Sequence, residues 1–314
     1  MACTANEHRP GMIIVVGPTA SGKTHFAIDL ARRFDGEIIG ADSMQIYQHM
    51  DIGTAKPTPA EQAAATHHMI DVVAPDVDFD AAMYGRLASA CVDEIISRGR
   101  RPIVAGGTGF YIKALMYGLF DEGPADPDIR KNLKARAEAE GSVSLHEQLF
   151  RIDPESAKKI HPHDTYRIIR AMEIYAVTGK APSAVQKCHG FQAPRFRAIT
   201  IGLSWPRSVL YDRINQRVDR MMDEGLMDEV EGLLNRGYGR NLKSMQSLGY
   251  RHLAAVVAGE ASLGETLQTL KRDHRHYAKR QMTWFGADPA VHWIDPDQGA
   301  VQVDEKIHAF LASL

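Results

Sequence analysis

"MIIVVGPTASGKTHFAIDLARRF", residues 12–34, decides the fold. An apolar run at 12–16 passes without a break into Gly17, Pro18, Thr19, Ala20, Ser21, Gly22, Lys23 and Thr24, and a helical pattern follows. This is strand, glycine turn and helix in the order that G-x-x-x-x-G-K-[ST] requires. Glycines let successive backbone N–H groups point into one concavity, the helix N-terminus adds partial positive charge, and Lys23 adds a full one. Residues 17–24 therefore read as a cradle for a di- or triphosphate, with the Thr24 hydroxyl as a ligand for Mg2+. The loop is silent about the rest of the molecule it holds.

Outward from the cradle, short β-rich runs at 37–41, 69–73 and 102–106 alternate with helical segments. Continuous apolar strands between helices imply a parallel sheet covered on both faces, the doubly wound α/β arrangement. The rhythm breaks at "FDEGPADPDIRKNLKARAEAEG" (120–141), no strand signal follows from 121 to 194, and "FRAITIGLSWP" (196–206) restores the alternation. The fold expected is an α/β, P-loop NTPase-like parallel sheet with helices on both faces, discontinuous over 1–120 and 195–314, with an all-helical insertion at 121–194. Beyond residue 206 the periodicity predicts helices over 207–222, 226–236, 249–258 and 262–285.

With 314 residues, 44% apolar content and a net charge of −2, the chain has the bulk properties of a soluble globular protein of one elaborated domain or two. No stretch approaches the roughly 18 apolar residues that span a bilayer, and "MACTANEHRP" has no basic flank followed by an apolar segment, so no membrane association and a cytoplasmic location are expected. Cys3, Cys91 and Cys188 are widely spaced with no CxxC pair, which fits a reducing compartment and argues against a zinc knuckle. His161 and His163 form an H-x-H without a third ligand nearby and read as a loop ahead of a helix. Near-neutrality overall hides a local basic surface: from Arg236 to Arg280 there are nine Lys or Arg against three Asp or Glu, with Tyr250, Tyr277 and Trp284 within or just beyond.

ATPases of this class place a magnesium-holding Asp at the end of a second apolar strand. "RPIVAGGTGFY" ends instead in Gly106, Gly107 and Thr108, whereas the strand in "EIIGADSMQIYQHMDIGTAKP" stops at Asp42. A carboxylate there faces the cradle at the C-terminal edge of the sheet, as a metal ligand or a general base.

The cradle joined to "ADSMQIYQHMDIGTAKP", "HHMIDV", "GGTGFYIKAL", "HPHDTYRIIRAMEIY", "RINQRV", "SLGYRH" and "AKRQMTWF" resembles the tRNA dimethylallyltransferases, or tRNA isopentenyltransferases, of bacterial type. The resemblance runs from Gly11 to about Phe285. It implies transfer of the dimethylallyl group from dimethylallyl diphosphate to N6 of the adenosine 3′-adjacent to the anticodon of tRNA, by a monomer. Gly17 to Thr24 would then bind the diphosphate leaving group, with Mg2+ and no ATP hydrolysis. Asp42 matches the family's base, Arg217 a group that draws off the diphosphate, and Thr108 a hydroxyl at the reacting centre that also touches tRNA. Asp42, Ser43, Met44 and Gln45 match the segment gripping the extruded base. Its neighbours would meet Ser247, Leu248, Gly249, Tyr250, Arg251 and His252, with Tyr250 as a stacking face; a buried core aromatic is the competing account. Tyr166, Arg167, Ile168, Ile169 and Arg170, with Arg130, match the anticodon-loop contact.

Other readings remain open at the level of sequence. Arg213, Arg217 and Arg220 lie on neighbouring turns of an amphipathic helix, a spacing usual for a solvated face. An adenylate isopentenyltransferase shares the cradle and the Asp-containing segment but modifies a free nucleotide, which needs neither the insertion nor the basic helices. In a small-molecule P-loop kinase ATP would fill the cradle and Asp42 would activate a hydroxyl. A nucleic-acid-binding module with a vestigial nucleotide site would bind tRNA without turnover.

Overall fold

The computed structural model describes residues 11–119, 127–189, 191, 193–296 and 300–314. Six strands, β1 (Gly11–Val16), β2 (Gly36–Gly40), β3 (His67–His68), β4 (Arg101–Gly106), β5 (Arg197–Leu203) and β6 (Val291–Ile294), form one parallel sheet in the order β3-β2-β4-β1-β5-β6. β1 is central and buried along its length, because a strand covered on both faces needs apolar residues at every position rather than at alternate ones. Val16 pairs with Gly106 and Gly40 with Ala105, so β1, β2 and β4 end at nearly the same level. The chain leaving each of them emerges at one edge, which brings residues 17, 41 and 107 together.

Helices α1 (Lys23–Arg33), α2 (Pro59–Ala64), α3 (Ala81–Ser97) and α4 (Gly109–Tyr117) belong to the first half. Five more, α5 (Pro127–Glu140), α6 (Ser142–Ile152), α7 (Pro154–Lys159), α8 (Thr165–Thr178) and α9 (Pro182–His189), fill the middle of the chain. After β5 come α10 (Arg207–Asp223), α11 (Leu226–Asn235), α12 (Tyr250–Val257) and α13 (Leu263–Gly286), and after β6 comes α14 (Ala300–Ala312). The chain divides into two compact units: the described residues up to Met116 with Pro194–Leu314, and Tyr117–Ala193. In the first, Ile13, Val15, Ile103 and Ile201 of the sheet pack with Ala27 and Leu30 of α1 and with Val303 and Ile307 of α14. In the second, Leu133, Leu145, Leu149, Ile168 and Met172 form a separate core. The boundary expected at 120 and 121, like the reading of the first ten residues, lies outside the described residues. Among the described residues no helix is long and apolar enough to cross a membrane.

Two sequence readings need correction. The run 69–73 is no strand: Met69 and Asp71 take left-handed backbone angles (φ 63° and 54°), which break a ladder, and only the isolated bridge from Tyr47 to Val73 remains. The parallel strand of this region is the two-residue β3. β6 and α14 went unread, the first being four residues long and legible only once Thr200 to Leu203 pair with it.

Candidate active site

The cradle is built by backbone angles that side chains resist. Gly22 has φ 93°, and a Cβ on Gly17 (φ 149°) would lie 2.8 Å from the Leu203 carbonyl. α1 starts at Gly22 with no side-chain cap, which leaves its first N–H groups to a ligand. Three of the loop's carbonyls are tied down by side chains. Lys23 Nζ donates to Pro18 O (2.7 Å), Trp205 Nε1 to Ser21 O (3.0 Å) and Arg213 Nε to Ala20 O (2.9 Å), while the Arg213 guanidinium lies 4.6 Å from the Trp205 ring centroid. Arg213 is therefore a structural strut rather than a solvated charge. The Thr19 N–H, expected among the phosphate donors, is already taken by Gln281 Oε1 at 2.8 Å.

The cradle gathers desolvated positive charge. Burial lowers the Lys23 pKa to about 7, Arg217 pushes it the same way, and Asp42 opposes them. Burial likewise lowers Arg217, again against the pull of Asp42. Ser21 Oγ, Arg217 Nε and His274 Nε2 are buried with no hydrogen-bond partner among the described residues. His274 is held neutral by burial and by Arg217, with a pKa of about 3. Two cations, an orphaned hydroxyl and an uncapped helix end meet the requirements of a multiply charged anion.

Across from it, Asp42 follows β2 and accepts Met44 N–H at 2.8 Å. Among the described residues it forms no ion pair. Ser43 N–H donates to Thr108 Oγ1 (3.1 Å) and Thr108 N–H to Ala41 O (3.0 Å), which fixes the β2 and β4 ends to each other. Burial, with Asp42 adding, pushes the Tyr277 phenol well above its ordinary range, opposed by hydrogen bonding from Thr108 and Gln281. Gln45 donates to the carbonyls of Thr54 (3.2 Å) and Ala55 (3.0 Å). Lys23, Asp42, Thr108 and Arg217, far apart in sequence, thus share one site.

The remaining expected contacts divide. Tyr250 offers no stacking face: it is fully buried, its ring lies where a Cβ on Gly53 would come within 2.6 Å, and its hydroxyl donates to Glu229 Oε1 at 2.6 Å. Glu229 also accepts the N–H groups of Asp51, Ile52 and Gly53, so Tyr250 braces that turn. Ser247 Oγ donates to Ser244 O, Leu248 is half-buried, Gly249 starts α12 at φ 90°, and Arg251 and His252 both engage Asp273. In the helical unit Tyr166 is 78% exposed and Arg167 is exposed beside Asp164, whereas Ile168 and Ile169 are core residues whose side chains are not available to RNA. Arg130 and Arg170 are half-exposed and both donate to the buried Glu173 Oε2, at 2.8 and 2.9 Å. Much of the basic stretch is spent internally: Arg240 pairs with Glu260, Lys271 with Asp219, Arg272 with Asp273, and Arg275 with Asn215.

Sequence reasoning missed Gln281 and Glu229, and read Tyr277 only as part of the basic surface. A signal existed for Gln281, since His274, Ala278, Gln281 and Phe285 recur at helical spacing on one buried face, and a primary amide there must have partners. Among the described residues no group of three or more His, Cys, Asp or Glu could hold a metal ion. The oxygens present, Thr24 and Asp42, suit Mg2+, which takes one or two protein ligands and completes its shell with water and phosphate.

A parallel sheet with a phosphate cradle after its central strand, and a carboxylate after the next strand but one, defines a P-loop NTPase-like α/β protein without the usual metal-holding Asp after β4. Residues 45–288 match the model of the IPP transferase family, and the chain belongs to that family. That match starts beyond the cradle, so the widespread phosphate loop does not carry it. The tRNA dimethylallyltransferase of Desulfosudis oleivorans is 49% identical over 303 residues, covering 96% of each chain. That of Geobacter sulfurreducens is 48% identical over 284 residues, covering 90% of this chain and 91% of its own. The solved full-length tRNA isopentenylpyrophosphate transferase of Bacillus halodurans superposes with a TM-score of 0.72 at 40% identity over 98% of both chains. A eukaryotic dimethylallyltransferase captured acting on tRNA gives a TM-score of 0.82 at 26% identity, covering 95% of this chain and 77% of the other.

Proposed function

We propose that this enzyme transfers the dimethylallyl group of dimethylallyl diphosphate to N6 of the adenosine next to the anticodon on its 3′ side, releasing diphosphate. The adenine N6 lone pair forms the new C–N bond at the allylic C1. The C1–O bond breaks with its electron pair leaving on diphosphate, and the N6 proton passes to the Asp42 carboxylate. An exocyclic amine conjugated with a purine is a weak nucleophile, and a positioned base contributes roughly 10²–10⁴-fold. Asp42 suits that role because it is oriented by Met44 N–H yet engaged in no ion pair among the described residues.

Negative charge gathers on the departing oxygen, and fixed positive groups aimed there are the main catalytic lever. Lys23, whose pKa burial and Arg217 lower to about 7, is drawn to its charged form as that anion develops, and Arg217 brings an unsatisfied buried N–H. Thr24 would hold Mg2+, which when bound neutralises charge on the diphosphate oxygens. Thr108, fixed by Ser43 N–H, presents a hydroxyl between the two halves of the site.

For the acceptor, the relatives that bear tRNA in their names support RNA over a free nucleotide. The exposed Tyr166 and Arg167 on the first turn of α8 suit an unpaired anticodon loop, read by stacking and charge. A kinase is disfavoured by the Gly106-Gly107-Thr108 ending of β4, where a metal-holding carboxylate would stand. The observation that carries the reading is Asp42, engaged in no ion pair among the described residues, facing a cradle whose Lys23 and Arg217 are both desolvated by burial. Incubation with labelled dimethylallyl diphosphate and either bulk tRNA or AMP tests it. Label should enter tRNA without added ATP; label in AMP, or none in tRNA, would refute the assignment.

A further inference from the structure

Gln281 is 5% exposed on the inner face of α13, and its two amide ends reach different halves of the site. Oε1 accepts the N–H of Thr19, in the phosphate loop after β1, at 2.8 Å. Nε2 donates to the carbonyl of Gly107, after β4 and directly before Thr108, at 3.0 Å. The amide has only one workable orientation, because a backbone N–H can only donate and a carbonyl can only accept. Gly107 fits this arrangement: a Cβ there would stand 2.0 Å from Gln281 Nε2.

The loop needs such a tie. The β1–β4 ladder ends at Val16 and Gly106, and beyond it Gly17, Ala20 and Gly22 all take left-handed angles that no ladder holds. From the β5 side Trp205 and Arg213 secure the carbonyls of Ser21 and Ala20. From the β4 side Gln281 supplies the corresponding restraint and connects it to the residue preceding Thr108.

We propose that Gln281 is a positioning residue for the transfer, a bridge that holds the phosphate loop in register with the β4 end so that leaving oxygen and attacking nitrogen stay in line. The inference rests on the prenyl-transfer reading given above. In-line displacement is sensitive to placement, and a shift of about 1 Å costs on the order of 10²-fold in rate. Because Gln281 already occupies the Thr19 N–H, removing it takes no donor away from the diphosphate. Chemistry should suffer while diphosphate affinity holds, a split that a purely structural role would not give.

Gln281→Met keeps length and removes both hydrogen bonds. Three quantities are compared with the unmodified protein: single-turnover prenyl transfer at saturating substrates, the Kd for inorganic diphosphate, and amide exchange across residues 17–22. The rate should fall by roughly 10- to 100-fold, with the Kd within about threefold and exchange in the loop faster. A rate within about twofold of the unmodified protein, or equal losses of rate and affinity, overturns the proposal. Gly107→Ala displaces the same amide from the opposite side and should reproduce the split; it decides the matter if Gln281→Met does not fold. If the unmodified protein transfers no prenyl group the reaction assignment fails, and loop exchange alone then judges the bridge: unchanged exchange in both variants discards it.

Discussion

Replacing Lys23 by Met should stabilise the empty protein, and more so in acid than in base. The ammonium is driven from its ordinary pKa of 10.5 to about 7, chiefly by burial and then by Arg217. Between these values the unfolded chain binds more protons than the folded one, so the stability of the unmodified protein rises with pH through that window. At about pH 6 the folded protein holds a charge it does not favour, at about 1.4 kcal/mol per pH unit of displacement. Lys23 keeps partial solvent access, which trims the sum to about 3–4 kcal/mol. By about pH 9 the folded-state lysine is neutral and the penalty has fallen by about 2 kcal/mol. The Met variant also loses the hydrogen bond to Pro18 O, but that loss is the same at both pH values and cancels in the comparison. Thermal unfolding of both proteins at the two pH values reads the difference. With about 2–4 °C per kcal/mol for a chain of this size, the gain from Lys23→Met at pH 6 should exceed that at pH 9 by roughly 5 °C. Parallel curves would show that Lys23 is not destabilised in the empty cradle. The same variant should bind diphosphate at least about 100-fold more weakly, since a buried charge-assisted contact is gone.

Asp42→Asn should retain dimethylallyl diphosphate affinity and lose about 10²–10⁴-fold in transfer rate; normal turnover would remove Asp42 from the role of base. Arg167→Glu should raise the KM for tRNA about tenfold or more and leave that for the diphosphate substrate unchanged, with a shallower salt dependence of tRNA binding; equal effects on both substrates would count against an RNA contact at α8. Tyr250→Phe removes a hydrogen bond to a carboxylate and should lower stability by about 1.5–3 kcal/mol with the KM for tRNA within about twofold; a large tRNA defect at unchanged stability would restore the stacking role.

How far the site is legible in sequence depends on how local each part is. The cradle is contiguous, so its glycines, Lys23 and Thr24 declare themselves, and the apolar runs of β1, β2, β4 and β5 locate the strand ends that carry Asp42 and Thr108. Where a reading turned on which side of a helix meets a neighbour, sequence left it open. An aromatic at helical spacing suits stacking or core equally well until Glu229 and Gly53 are seen beside Tyr250. Ile168 and Ile169 share the α8 segment with Tyr166 and Arg167 but point into the core of their unit. At 69–73 a short β-rich apolar run mimicked a strand although the backbone turns twice through left-handed angles.

By itself the sequence determined the phosphate cradle, the parallel sheet and the helical middle, because each is written in neighbouring residues by backbone freedom and hydrophobic periodicity. Only the tertiary structure decided that Arg217 and Lys23 are desolvated side by side opposite Asp42, that Gln281 joins the loops after β1 and β4, and that Tyr250 is a brace. Those outcomes depend on desolvation and on hydrogen bonds between residues that meet only when the sheet and α13 close over them.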